Sequence, residues 1–219
     1  MPILGGALAS VMESVEFTRR HPRLFHVAQG DAWPSLAEHG LLSVRSLLVR
    51  SSLDPAEQEL LLTSHRPTAV NVPVQGFDSV VLRDQAPLNM VKLVARLTGG
   101  VTAQQWLGLL NSMAFPFPSE ATLSTLLEKY NAEPVLVLEL DTRSLVAEYG
   151  SLIRLTAINT GATVYVAAKR GRDTFRGIAQ FDARRQVKEV AVLDGVPDLA
   201  RYLRKAERRL PDGERLSLL

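Results

Sequence analysis

Two ionisable side chains interrupt otherwise apolar, strand-length runs. Glu189 lies in Val187–Leu193, read VKEVAVL, and His26 lies in Leu24–Ala28, read LFHVA. Period-two alternation places Val187, Glu189, Ala191 and Leu193 on one face and Val190 and Val192 on the other. A carboxylate so placed stands on an edge strand facing water or in a cleft where it has a task. An imidazole inside a strand needs a hydrogen-bond partner or a ligand. Arg66 and Arg83 fall at the ends of apolar segments, where a guanidinium fork can grip an anion with two bonds. Asn159 and Thr160 open a polar turn, Asn159-Thr160-Gly161-Ala162-Thr163, after another apolar run. Each also has a plain structural alternative: a satisfied core histidine, loop arginines, an ordinary turn.

Several other chemistries find no residues to carry them. There are no cysteines, so disulfides, thiolate nucleophiles and Cys-based zinc sites are excluded. His21, His26, His39 and His65 miss the i, i+4 spacing of a helical zinc site, and no metal is expected. No phosphate-binding P-loop, dinucleotide-binding glycine fingerprint or serine nucleophile elbow occurs.

The elements that must position these residues are short and mixed. Ala7–Arg20 has helical spacing and ends at His21-Pro22. The strand Leu24–Ala28 leads through Gln29-Gly30 to a helix over Asp31–His39, with Asp31 as N-cap and Gly40 as its left-handed terminator. Ser43–Arg50 reads as helix, and Asp54-Pro55-Ala56-Glu57 starts another with a capping pattern. Val70–Val74 and Ser79–Leu82 form a hairpin, then come helices over Asn89–Leu97, Thr102–Asn111 and Ser119–Tyr130. Phe115-Pro116-Phe117-Pro118 is an extended connector. Pro134–Leu140, PVLVLEL, is the clearest buried strand, and Asp141 caps a helix to Tyr149. Strands follow over Leu152–Ala157, Thr163–Ala167 and Val187–Leu193, with Thr174–Phe181 ambiguous, and Arg170-Gly171-Arg172-Asp173 reads as a polar loop that contacts phosphate or simply lies on the surface. Val196–Arg209 reads as a basic helix. The expectation is an α+β domain with a partly antiparallel sheet and interspersed helices. It comprises an N-terminal helix in residues 1–22, the main domain in 23–210 and a loose tail in 211–219.

The formal net charge is +2 over 219 residues, so no strong polyanion preference follows from the total. Basic residues do cluster between Lys169 and Lys188 and again from Arg201 to Arg215, which fits a phosphate-bearing or nucleic-acid partner or a solvated face. No apolar run reaches the roughly 20 residues of a membrane span. No signal peptide is read at the N-terminus, so no membrane association is expected and the expected location is cytoplasmic.

The ordered segments resemble the ADP-ribosyltransferase fold, and within it the DarT-type DNA ADP-ribosyltransferases. In those proteins a strand histidine is followed by a helix ending in Gly-Leu, as in His26 and His39-Gly40-Leu41-Leu42 here; the RNA 2′-phosphotransferases share this pattern. An arginine precedes a hairpin, as Arg66 does. A loop of the form TDG(N/H)A follows a strand, and Thr156–Ala162 occupies that place. A late strand carries the catalytic glutamate before a turn and Val-Pro, as Glu189 and Val196-Pro197 do. The resemblance implies a split, ADP-ribosyltransferase-like sheet and NAD as substrate. It assigns His26 to the nicotinamide-side ribose or the adenosine, Arg66 or Arg83 to phosphate and Glu189 to catalysis, with Asn159 and Thr160 near substrate or ribose hydroxyls. It further implies transfer to a nucleic-acid or other macromolecular target, a bacterial toxin or defence role and an antitoxin partner. The aromatic VPFYF stretch of the toxins is missing. The alternative is a non-catalytic nucleotide- or nucleic-acid-binding module on the same fold. The chain also resembles an uncharacterised bacterial domain family with LFH…HGLL, RDQ.PL, LN, N.GAT and RG.DTF segments, spanning about Leu24–Phe181.

Overall fold

The computed structural model describes residues 11–77, 80–127, 132–163 and 168–219. Its helices are α1 (Ser14–Arg20), α2 (Trp33–His39), α3 (Val44–Val49), α4 (Pro55–Thr63), α5 (Met90–Val94), α6 (Ala103–Asn111), α7 (Glu120–Leu127) and α8 (Thr142–Tyr149). Its strands are β1 (Arg23–Gln29), β2 (Leu41–Leu42), β3 (Val70–Val72), β4 (Val80–Leu82), β5 (Met113–Ala114), β6 (Val135–Asp141), β7 (Ile153–Thr156), β8 (Arg176–Gly177), β9 (Glu189–Leu193), β10 (Gly195–Val196), β11 (Leu203–Arg209) and β12 (Arg215–Ser217). The fold is α+β with antiparallel strand pairing throughout the named sheets.

Two four-stranded sheets form the frame, in the orders β1-β6-β11-β12 and β5-β9-β7-β8. They share one core. Leu24, Leu136, Leu138, Leu140 and Ala206 from the first sheet pack with Ile153, Leu155, Val190 and Val192 from the second. Phe17 of α1 and Leu145 of α8 close that core. The opposite face of β9 is also covered. Ala191 there joins Trp106, Leu107 and Leu110 of α6 and Phe175 in a second cluster. β9 is therefore buried on both faces, which explains its nearly continuous apolar sequence.

Local chemistry fixes the helices. Asp54–Glu57 and Thr102–Gln105 both form full capping boxes, at the starts of α4 and α6. Asp141 caps α8 by accepting the Ser144 N–H at 2.7 Å. The connector Phe115–Pro118 runs along the free edge of β1, where Phe25 and Phe117 exchange backbone hydrogen bonds of 3.0 and 2.5 Å. The β3–β4 hairpin packs on α3 and α4 through Leu48, Val72, Val74, Val80 and Leu82.

Four expectations need correction. Val196–Arg209 is not a helix. A single 3₁₀ turn at Leu199–Arg201 leads into β11, which pairs with the buried strand β6 and carries a bulge between Leu203 and Lys205. The segment is rich in helix-forming Arg, Lys, Glu and Ala, but burial of Ala206 against the core and the pairing of six residues with β6 override that preference. Residues 211–219, expected as a loose tail, contain β12, which pairs with β11. α2 starts at Trp33 with Ala32 at its N-cap, so Asp31 does not cap it. α5 stops at Val94, short of the expected Leu97, and the Leu97 backbone bridges to Arg170 instead. The start of the expected Ala7–Arg20 helix and most of the Thr163–Ala167 strand lie outside the described residues.

Candidate functional site

β1 alternates, so Leu24, His26 and Ala28 share a face while Phe25 and Val27 pack on the other side with Leu123, Val135 and Val137. The face with His26 leaves the core and borders a cavity of about 880 Å³. On β9 the same alternation turns Glu189 away from Val190 and towards that cavity. His26, Arg66, Arg83, Thr160 and Glu189 all line it, although they come from five separate stretches of chain. Asn159 is exposed and is not among the lining residues. The rest of the wall comes from α2, the β3–β4 hairpin, the end of α6 and the Phe115–Phe117 connector. His39 ties α2 to the hairpin, its Nε2 2.7 Å from the Gly76 carbonyl and its ring against Phe77.

His26 is held by one bond. Its Nδ1 lies 3.3 Å from the Phe115 carbonyl, which can only accept, so Nδ1 carries the proton. Burial lowers its pKa to about 4, with the Phe115 bond opposing and the charge of Arg83 adding to the drop. At neutral pH the ring is uncharged, and Nε2 is a lone-pair acceptor.

Glu189 is held far more closely. The Thr160 hydroxyl donates to Oε2 at 2.6 Å, and the Thr160 N–H reaches both oxygens at 3.0 and 3.1 Å. The Gly161 N–H also hydrogen-bonds the carboxylate. Burial raises the carboxyl pKa to about 7 despite these donors and the positive charge of Arg170. Glu189 is thus partly ionised at neutral pH, a state suited to general acid or base work.

The two buried arginines nearby serve the backbone. Arg66, 6% exposed, donates from Nη1 to the Leu61 carbonyl at 2.8 Å, from Nη2 to Asn111 Oδ1 at 3.0 Å and from Nε to the Arg83 carbonyl at 3.4 Å. Three of its five N–H groups are committed to the fold, and Arg83 is the other guanidinium on the cavity wall. Arg170, read from sequence as part of a polar surface loop, is 2% exposed. It donates to the carbonyls of Thr160, Ala162 and Ala168 and sits 5.9 Å from the centre of the Trp106 ring. Sequence reading missed Arg170, Asn111 and Gln85 as site-building residues. The Arg-Gly pair at 170–171 carried the available signal, because a Cβ on Gly171 would lie 2.7–2.8 Å from Thr98.

The basic clusters are also less free than composition suggested. Arg176 and Arg184 pair with Asp173 and Asp182, Arg201 with Asp198 and Arg204 with Asp141. Lys205, Arg209 and Arg215 gather around the buried Glu207. Among the described residues no group of three or more His, Asp, Glu or Cys side chains could hold a metal ion, and no helix is long and apolar enough to cross a membrane.

The sequence profile of DUF7002, a family of unknown function, matches residues 22–203. The chain belongs to that family. No curated protein matches it. The matched span holds β6, β7 and β9 and every cavity residue named above, and it ends at the first residue of β11. Several of the short motifs in this span meet in space. Asn89, just after RDQ.PL, exchanges hydrogen bonds of 2.7 and 2.9 Å with Thr163 of N.GAT. Arg170 of RG.DTF clamps the same loop. Gly40 and Gly195, both at positive φ, let the HGLL segment and the turn after β9 pack backbone to backbone.

Proposed function

We propose that this DUF7002 protein is an ADP-ribosyltransferase that binds NAD in the cavity and transfers ADP-ribose to a macromolecule, with nucleic acid as the favoured target. The reading rests on one observation: His26 of one sheet and Glu189 of the other meet at a single cavity between them. Two sheets flanking a ligand cleft are what the split ADP-ribosyltransferase fold requires. The cavity volume lies within the roughly 300–1,000 Å³ usual for small-molecule sites.

In this reading neutral His26 accepts a hydrogen bond from a ribose hydroxyl through Nε2, and Arg83 takes the pyrophosphate. Arg66 shapes the wall beside it. The bond between nicotinamide and ribose breaks, its electron pair leaving with nicotinamide. The ionised Glu189 stabilises the oxocarbenium-like sugar, and the acceptor's nucleophile bonds to the anomeric carbon while Glu189 takes its proton. The preference for nucleic acid comes from the basic segments that flank the Glu189 strand; the defence role and an antitoxin partner come from the DarT-type resemblance.

A second reading is favoured by the tight hold of Thr160 on Glu189. A carboxylate already bound by a hydroxyl and two N–H groups can be a structural cap in a non-catalytic nucleotide-binding module. Labelled NAD incubated with mixed DNA, RNA and protein separates the two. Transfer by the native protein, lost in Glu189→Gln with NAD still raising the melting temperature of both, supports the enzyme. Thermal protection by NAD without transfer supports the module, and neither transfer nor protection overturns both.

A further inference from the structure

Arg170 is among the largest fully buried side chains, and among the described residues no carboxylate lies within ion-pair distance of it. Burying an arginine without a direct ion pair is costly unless its donors are satisfied. Here they are satisfied by backbone oxygens of the segment that holds Glu189. Nη1 reaches the Thr160 carbonyl at 3.0 Å and Nη2 the Ala162 carbonyl at 3.5 Å. The arginine is itself pinned. Its N–H donates to the Arg96 carbonyl at 2.9 Å, and its own carbonyl accepts the Thr98 N–H at 2.9 Å. The Trp106 ring lies alongside the guanidinium. A rigid line of contacts thus runs from α6 through Arg170 and Thr160 to the Glu189 carboxylate.

We infer that Arg170 is a positioning residue for Glu189: by holding the Thr160 and Ala162 carbonyls it fixes the loop that grips the carboxylate, and its charge favours the ionised form. This holds whatever ligand the cavity takes.

The other charged groups around Glu189 do not supply that function. Across the sheet it faces Thr156 of β7, and Arg154 of the same strand donates to the Ser151 and Ile153 carbonyls. β5 contributes Met113 and Ala114, neither ionisable. Lys188, next in the chain, is exposed. The other ionisable groups on the cavity wall are His26 on β1, Asp31, Glu38 and His39 on or beside α2, Arg66 ahead of β3, and Arg83 and Asp84 after β4. The charge that acts on the Glu189 carboxyl is that of Arg170.

The test is a carboxyl-carbon NMR titration of protein labelled at glutamate Cδ, with the Glu189 signal assigned by its loss in Glu189→Gln. The native midpoint is expected near 7. In Arg170→Met, which keeps an unbranched apolar stem but loses charge and donors, the midpoint is expected to rise by about one unit, the low end of the effect of a nearby opposite charge. The Thr160 amide resonance, which should track the Glu189 titration in the native protein, should lose that dependence. An unchanged midpoint in a folded Arg170→Met protein overturns the inference. If Arg170→Met does not fold, Arg170→Lys decides, since it keeps the charge but cannot span both carbonyls. A smaller upward shift with a displaced Thr160 amide supports the positioning role, and a native midpoint with a native amide overturns it.

Discussion

His26 and Glu189 face the same cavity from two sheets, and burial pushes both towards their uncharged forms. Their surroundings differ. His26 receives one backbone carbonyl and lies within the field of Arg83, a like charge for its protonated form. The carbonyl opposes the drop in its pKa, but burial and the Arg83 charge outweigh it and leave the ring neutral across the physiological range. Glu189 receives a hydroxyl, two N–H groups and the field of Arg170, all of which favour its charged form. They pull its titration back to about 7. Equal burial therefore produces a fixed acceptor on one wall and a titrating acid on the other, and the neighbouring donors make the difference.

The largest expected effect breaks this contrast at Glu189. Replacing it with glutamine should lower ADP-ribose transfer by ~10²–10³-fold, the usual loss for one pre-placed electrostatic group. His26→Ala should instead weaken NAD binding by about fivefold, as expected for one lost hydrogen bond of about 1 kcal/mol. Isothermal binding and transfer rates measured on both variants check this; equal loss of rate from both would erase the division of roles.

Stability should carry the same signature with opposite signs. The folded Glu189 carboxyl holds its proton more tightly than the ordinary value of 4.5, so native stability falls as pH rises from about 4.5 to 7. Glu189→Gln removes that fall and should be the more stable protein at pH 8, by about 1–2 kcal/mol after allowance for partial solvation. The His26 ring holds its proton less tightly than the ordinary 6.5, so stability is lost as pH drops from about 6.5 to 4. His26→Gln should flatten that acid limb by about 1 kcal/mol. Urea unfolding at pH 4.5, 6 and 8 reads both slopes. As a control outside the cavity, Asp54→Ala removes the α4 cap and should cost about 1 kcal/mol. It should shift neither titration nor transfer.

Much of the frame was legible because its signals are local. The two capping boxes, the run PVLVLEL and the connector Phe115–Pro118 each announce themselves within a few residues. Glu189 and His26 stood out because an ionisable group in an apolar strand is a local contradiction. β11 was not legible, because Leu203–Arg209 has helix-forming composition and becomes a strand only through β6. Arg170 was misread for a related reason. An arginine beside glycine and a second arginine looks like surface loop, and only the tertiary approach of Trp106 and Thr160 makes it interior. Asn159 and Thr160 are neighbours of the same type in the same turn, yet only Thr160 turns inwards.

The pairing of β1 with β6 and of β6 with β11 also has a consequence for synthesis. β1 is made before all its partners, and the first sheet is not complete until the chain has been extended through Ser217. Glu189 and its turn onto β2 likewise arrive late. A nascent chain halted between Arg83 and Glu189 has His26, Arg66 and Arg83 but not the opposing wall that β9 supplies. Ligand cannot template early folding on the ribosome, and the half-made protein carries no activity that depends on both walls.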